Sequence, residues 1–217
     1  MMTSKARGKN EIVLFEEAAS ERPESAGGRD VRSIAHLKML QSLSGKLNRL
    51  NDVREIGGTI VTELRALIDY HNCRIFVVEG NELVPVSFHG AFATDVPSVM
   101  EALRCRIGEG VTGRCAELGQ SLLIGDAAHC EFSRRVPGTE IIEESLVAVP
   151  LRYGKRVIGV IVISKLGLEQ FDEDDVRLLE VLSGHAAVAL ENARLYEMQR
   201  REAESAKALL EFSRELA

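Results

Sequence analysis

"SLVAVPLRYGKRVIGVIVISK", residues 145–165, reads as two strands and the turn that joins them. Gly154-Lys155 is a two-residue connection with glycine at the first position, as a type II′ hairpin turn requires. Beyond it, Val157 to Ile163 is apolar at every position except Gly159. A strand with one wet face alternates, whereas a strand without polar positions is covered on both faces. The second strand therefore runs mid-sheet, with helices on one side and another layer on the other.

Upstream, "CRIFVVE" (73–79) is rich in β-branched and aromatic residues. "GN" (80–81) has hairpin-turn chemistry, and "ELVPVSFH" (82–89) alternates. Before them lie two helical periods. Ile34, Leu37, Leu40, Leu43, Leu47 and Leu50 recur three or four apart, and so do Val53, Ile56, Ile60, Leu64 and Leu67, with Asp52 placed as an N-cap. In "RIGEGVTGRCAELGQ" (106–120) glycines bracket a short helix beginning near Gly110 and ending at Gly119. "SLLIG" (121–125) is a short strand, and "DAAHCEFSRRVPGTEIIEE" (126–144) a long irregular segment of the kind that is usually functional. The class is α+β: an antiparallel sheet with helices from both chain ends on one face.

The acidic run "FDEDDV" (171–176) raises the question of a metal or catalytic site. A calcium loop needs alternating acids and a central glycine, and an apolar helix begins inside this run instead. Asp172 reads as the N-cap, and Glu173, Asp174 and Asp175 sit in the first turn at the positive end of the helix dipole. Phe171 and Val176 occupy the positions of a hydrophobic staple. No metal site is expected. The helix continues to the chain end, and its second half is expected to project and find a partner. Leu182, Ala189, Tyr196, Ala203, Leu210 and Ala217 recur every seventh residue, with His185, Asn192, Gln199, Ala206 and Ser213 three later, a marginal coiled-coil seam. "ALLEFSRELA" stops without a cap or breaker, so a following output domain is expected. The expected organisation is a disordered tail (1–30), an N-terminal helix (31–50), the domain (51–197) and an exiting helix (198–217).

Composition narrows the function. The 217 residues are 45% hydrophobic, and 27 basic against 33 acidic residues give a net charge of −6. An acidic chain without a clustered basic face argues against nucleic acid. No apolar run reaches the roughly 18–20 residues of a membrane span, and the N-terminus lacks the apolar core of a signal peptide. We expect a cytoplasmic protein whose Cys73, Cys105, Cys115 and Cys130 are free thiols.

From about Asp52 to Tyr196 the sequence resembles a GAF domain, the small-molecule sensing and dimerisation module of signalling proteins. "RIGEGVTGRCAELGQSLLIGD", "SLVAVPLRYGKRVIGVIVISK" and "FDEDDVRLLEVLSGHAAVALENARLY", in that order, carry the resemblance. It implies a six-stranded antiparallel sheet with the terminal helices on one face. A ligand pocket on the other is roofed by the short helix and the long loop. Mapped here, its lining would be His89, Val111, Cys115, Ile124, Asp126, His129, Cys130, Phe132 and Ser145. It also implies a homodimer through the N- and C-terminal helices, and an output domain downstream. The ligand is unidentified, and no cofactor is named. A cyclic nucleotide is one candidate. The nucleotide-binding members carry Asn-Lys…Phe-x-x-x-Asp-Glu, of which Lys165, Phe171 and Asp175 match while Ser164 and Val176 depart; in them the Lys and Asp pair to hold the fold.

Two other readings stay open. Free methionine-(R)-sulfoxide reductases are catalytic relatives that use cysteines around this pocket, one of them inside a G-V-C-G turn; here the turn is "GVTG", with Thr112. A ligand-free dimerising scaffold is the other. Redox sensing at Cys130, or a metal held by His129 with Cys130 or His89, is a lesser alternative. His185 lies outside any phosphoacceptor box, and no kinase, cyclase, phosphatase or protease motif is present.

Overall fold

A computed structural model describes residues 13–15, 42–43, 45–47, 49–90, 96–133 and 142–215. The strands are β1 (Val13–Phe15), β2 (Asn72–Glu79), β3 (Glu82–His89), β4 (Cys105–Arg106), β5 (Ser121–Ile124), β6 (Glu144–Tyr153) and β7 (Arg156–Leu166). They form one antiparallel sheet in the order β1-β5-β6-β7-β2-β3-β4. Strands β2 to β7 supply the six expected, with β4 lying in a stretch read as loop. The seventh, β1, comes from the stretch expected to be a disordered tail; it pairs with β5, Val13 opposite Leu123.

The helices are α1 (Val53–Leu64), α2 (Val96–Ala102), α3 (Gly110–Leu118) and α4 (Glu173–Glu215). Asp52 caps α1 as expected, its Oδ1 accepting from the Arg54 and Glu55 amides at 2.8 and 2.9 Å. Gly119 ends α3 in the left-handed region, φ 63°. Of the N-terminal helix, Ser42, Leu43, Gly45, Lys46 and Leu47 are helical, with Leu43 and Leu47 buried; Arg49 and Leu50 lie past its helical part, and the other expected positions lie outside the described residues. Helix α2 was not foreseen.

The hairpin decides the core. Tyr153 pairs with Arg156 across Gly154-Lys155, and Gly154 has φ 61°. Along β7, Ile161 and Ile163 join one buried cluster with Leu64, Leu179 and Leu182, while Val160 and Val162 join another with Phe76, Val111 and Cys115. The sheet is thus covered on both faces. Helices α1 and α4 cover the first face; α3 and the segment after β5 cover the second. Gly159 is the exception in the apolar run for a steric reason: a Cβ there would stand 2.1 Å from the Phe76 carbonyl oxygen.

Helix α4 begins where the acidic run predicts. Asp172 Oδ1 accepts from the Asp174 and Asp175 amides, at 2.9 and 3.0 Å. Asp175 Oδ2 accepts in return from the Asp172 amide at 3.1 Å, a reciprocal capping box. Phe171 and Val176 are both buried in the first cluster. The expected Lys165–Asp175 pair is not formed: Lys165 Nζ lies 2.8 Å from Asp69 instead. Lys165 shares the first face with Ile163, and Asp175 is already engaged with the backbone of its own cap.

The seven-residue seam needs a correction of register. Leu182 and Ala189 are 1% and 2% exposed, inside the protomer's own core. Tyr196 of the predicted series is 49% exposed, but alongside the sheet the exposed residues at that spacing are one position earlier: Val181, Val188 and Leu195, 48%, 45% and 41% exposed. His185 and Asn192 of the second predicted series are exposed beside them. The first turns of α4 must bury Leu182 and Ala189 against the sheet, so a partner would find the neighbouring stripe.

A buried glutamate held by two exposed arginines ties α4 to the hairpin. Glu191, 3% exposed, accepts from Arg156 at 2.7 Å and from Arg194 at 2.8 Å. Arg194, and then Arg156, hold its carboxyl below the ordinary glutamate value, against the opposing effect of burial.

Two outcomes are expected. Asp172→Ala costs about 1 kcal/mol through the lost cap, read as a shift of the urea midpoint at unchanged slope. The depressed Glu191 contributes stability that is present above its unfolded value and is lost as pH falls through its lower folded value. An acid-unfolding titration of Glu191→Gln should therefore be flatter in that window than that of the wild type.

Candidate functional site

The second face is built by strand alternation. Leu122 and Ile124 on β5, Leu146 and Ala148 on β6, Val160 and Val162 on β7, Phe76 on β2 and Leu83 on β3 form its floor. Val111, Cys115 and Ala116 of α3 roof it, with Ala127, Cys130 and the half-buried Phe132 after β5. Helix α3 can lie this close because Gly113 has no side chain: a Cβ there would meet the Arg106 carbonyl oxygen at 2.3 Å. Gly108 N donates to Gly113 O at 2.9 Å and tightens the same turn.

Five predicted liners come together here: Val111, Cys115, Ile124, Cys130 and Phe132. Arg114 of α3 stacks over the Phe132 ring, 5.4 Å from its centre, and so clips the loop to the helix. Asp126 and His129 stand at the rim. Asp126 Oδ1 accepts from the Ala128 and His129 amides, and its Oδ2 lies 2.8 Å from His129 Nδ1, while the imidazole is exposed.

Two predicted liners face the other way. Ser145 alternates with Val147 and Val149, so it points to the helices; its Oγ accepts from the Gln170 amide at 3.1 Å, just ahead of α4. His89 is turned over by a bulge. The β2–β3 register slips between Ile75 and Phe76, where Val86 is the extra residue. His89 therefore lies opposite Cys73, on the helix side, against Arg65 of the α1 C-cap and the edge of Tyr70. Without the bulge, uninterrupted alternation would have put it on the second face.

Three polar residues of the second face escaped the sequence reading. Arg74 lies in phase with Phe76 and Val78, opposite Val162 on β7 and Phe88 on β3. Asn72 and Ser164 pair in the next row, Nδ2 to Oγ at 3.1 Å, and both are buried. The available signal was the charge of Arg74 near the start of "CRIFVVE", ahead of four apolar residues. Burial pulls Arg74 below the ordinary arginine value, with Glu144 acting the other way.

The cysteines are free and buried. Burial pushes the Cys73 thiol up to about 12 and raises Cys115 and Cys130 as well. Such thiols are poor nucleophiles at neutral pH. Among the described residues, no three His, Cys, Asp or Glu gather where they would hold a metal. No described helix is long and apolar enough to cross a membrane. A solvent-open concavity of about 320 Å³ lies elsewhere, between the end of α3 and the β6–β7 turn, with Gly119, Arg152 and Lys155 on its walls.

A family model for the GAF domain matches residues 51–191, well over half the chain. The chain belongs to the GAF domain family. It is 28% identical over 191 residues to a dual 3',5'-cyclic-AMP and -GMP phosphodiesterase 11A of Takifugu rubripes, covering 83% of this chain and 21% of that protein. It is 27% identical over 163 residues to a Nif-specific regulatory protein of Azospirillum lipoferum, covering 71% and 26%. The chain thus spans about a quarter or less of these relatives. Among solved structures, the GAF domain of a phosphoenolpyruvate-protein phosphotransferase from Coxiella burnetii aligns with TM-score 0.65 at 21% identity, covering 76% of this chain and 98% of that one. The free methionine-R-sulfoxide reductase of Neisseria meningitidis, in complex with its substrate, aligns with TM-score 0.62 at 22% identity, covering 79% and 96%. At that identity both show the shared fold. GAF domains thus occur in a Nif-specific regulatory protein and in enzymes alike, and the chain is similar in sequence to parts of a phosphodiesterase and of a Nif regulator.

Gly113→Ala tests the seat of α3. A Cβ 2.3 Å from a backbone oxygen forces the helix outward. The expected result is a melting temperature several degrees lower and faster amide hydrogen exchange in α3 than in α1.

Proposed function

We propose that this chain is a regulatory GAF sensor that binds a small molecule on the second face of its sheet and passes the bound state through α4 to an output domain. The carrying observation is the double use of α4. From Val176 to Ala193 it supplies buried residues to the core, and it then runs on to Glu215 with its side chains exposed as far as they are described, Glu197 alone half-buried among them. A 43-residue helix is about 65 Å long, far beyond what the sheet needs. In the proposed assembly two protomers lie in parallel and meet along Val181, Val188 and Leu195, with His185 and Asn192 making the seam marginal. A marginal seam has two packings of similar energy, as a switching element requires. A reducing cytoplasm suits the four free thiols.

The ligand is a small molecule. A cyclic nucleotide is supported by the named activity of the phosphodiesterase relative and by Lys165, Phe171 and Asp175 of the signature, and opposed by Ser164 and Val176. Against catalysis stand the raised thiols of Cys115 and Cys130 and the threonine in "GVTG". A ligand-free scaffold is supported by how fully apolar side chains occupy the second face.

Native mass spectrometry of the chain purified without denaturation should show a retained small molecule; an empty protein at full occupancy of the fold would favour the scaffold. Light scattering should give a dimer at micromolar concentration, and Val188→Lys with Leu195→Lys should give a monomer with an unchanged melting temperature. Reduction of free methionine sulfoxide with a thiol donor should show no turnover; turnover abolished by replacing Cys105, Cys115 and Cys130 would instead establish the reductase.

A further inference from the structure

Among the described residues of the sheet, Arg74 is the one charge set into the middle of the second face. Its strand runs between β3 and β7, and its cross-strand partners on that face are Phe88 and Val162, both packed in the apolar cluster. A valine or isoleucine would fit this position better on packing alone. Arg74 as a whole is half-buried, burial desolvates its guanidinium, and the guanidinium makes no hydrogen bond or ion pair among the described residues. Glu144, on the same face of β6, favours its charge only from a distance. A charge taken largely out of water without a partner is costly. Arginine presents a planar fork of donors that matches carboxylate and phosphate oxygens two at a time.

One row away lies a second unfilled polar group. Asn72 is 1% exposed, and one end of its amide reaches Ser164 Oγ at 3.1 Å. Its Oδ1 at the other end has no hydrogen-bond partner among the described residues. An unmet charge and an unmet amide thus neighbour each other in a layer that is otherwise apolar.

We propose that Arg74 is the receptor for an oxyanion group, carboxylate or phosphate, on the small molecule that this face binds. The assignment rests on the sensor reading above and narrows it: the ligand is an anion, held bidentately at the β2 position between Phe88 and Val162. The enclosed cation then has a role in the bound state that its free state does not explain.

The test uses the full chain and two probes, inorganic phosphate and succinate, each compared with sodium chloride at matched ionic strength so that general screening cancels. Either probe should raise the melting temperature of the wild type by a few degrees at tens of millimolar, and the larger shift tells phosphate from carboxylate. Arg74→Met should melt above the wild type in chloride, because an unpaired enclosed charge has been removed, and should lose the response to both probes. An Arg74→Met protein that melts lower in chloride, or that responds to the probes as the wild type does, overturns the assignment, as does a wild type that responds to neither. Where Arg74→Met fails to fold, the arginine Nε–H spectrum of the wild type decides: one signal moving saturably with a probe supports the assignment, and none moving refutes it. A neutral molecule retained in native mass spectrometry, and retained equally by Arg74→Gln, would refute the anion while leaving the sensor standing.

Discussion

The two-sided burial of β7 is the constraint on which the rest of the architecture depends. Its side chains from Val160 to Ile163 enter two different cores in strict alternation. Neither layer can be dispensed with, because removing one would return half of the central strands to water, at roughly 25 cal/mol for each Å² of apolar surface. The first layer must be the terminal helices, since α1 and α4 carry the apolar stripes. The second must be assembled from what the middle of the chain offers: a nine-residue helix and irregular segments. This division leaves the first face rigid and helical and the second dependent on a short helix resting on a glycine. A layer made of loops is where a ligand can enter without dismantling the core.

In the proposed sensor the same division makes α4 a reporter. It is anchored at its start by the Asp172–Asp175 capping box and, five turns on, by Glu191 bonded to Arg156 at the tip of the β6–β7 hairpin. The floor of the second face is the reverse side of these two strands. Any displacement of Leu146, Ala148 or Val162 by a ligand is therefore passed directly to Val147, Val149 and Ile161, which pack under α4. A close-packed sheet transmits strain across its thickness because it has no void to absorb it. Glu191 adds a polar constraint of fixed length at the far end, so that α4 moves with the hairpin.

The fold was legible wherever burial imposed a period. The turn at Gly154-Lys155, the caps Asp52 and Asp172, the staple of Phe171 and Val176, and the boundaries of α3 between glycines are local physics, and each lies where its residues predict. What failed was phase. The seven-residue repeat of α4 is real, yet Leu182 belongs to the protomer's own core and Val181 to the outside; both series have the same period, and only the position of the sheet separates them. Ser145 was misplaced for the same reason, one residue out of step with Leu146. His89 was lost to the bulge at Val86, which no pattern in "ELVPVSFH" announces, since the proline beside it fits an edge or a bulge equally. The Lys165–Asp175 pairing came from the family signature, and here Asp69 takes the lysine.

The nine liners expected from the family were mostly apolar, and apolar residues are a poor guide to binding. Val111, Cys115 and Ile124 would be buried in this layer whether or not anything enters it, because the sheet must be covered in any case. A residue informs about function in proportion to how badly it serves packing. On that measure Arg74 and Asn72 outrank every liner that the resemblance supplied. The core gains nothing from a desolvated guanidinium beside Phe88 and Val162, and nothing from an amide with one end unmet. Each costs stability in the empty protein, and a site that is strained when empty is relieved when its ligand arrives. On the proposed reading, the binding chemistry of this GAF domain lies in the two positions of β2 where its sequence departs from what the fold alone would choose.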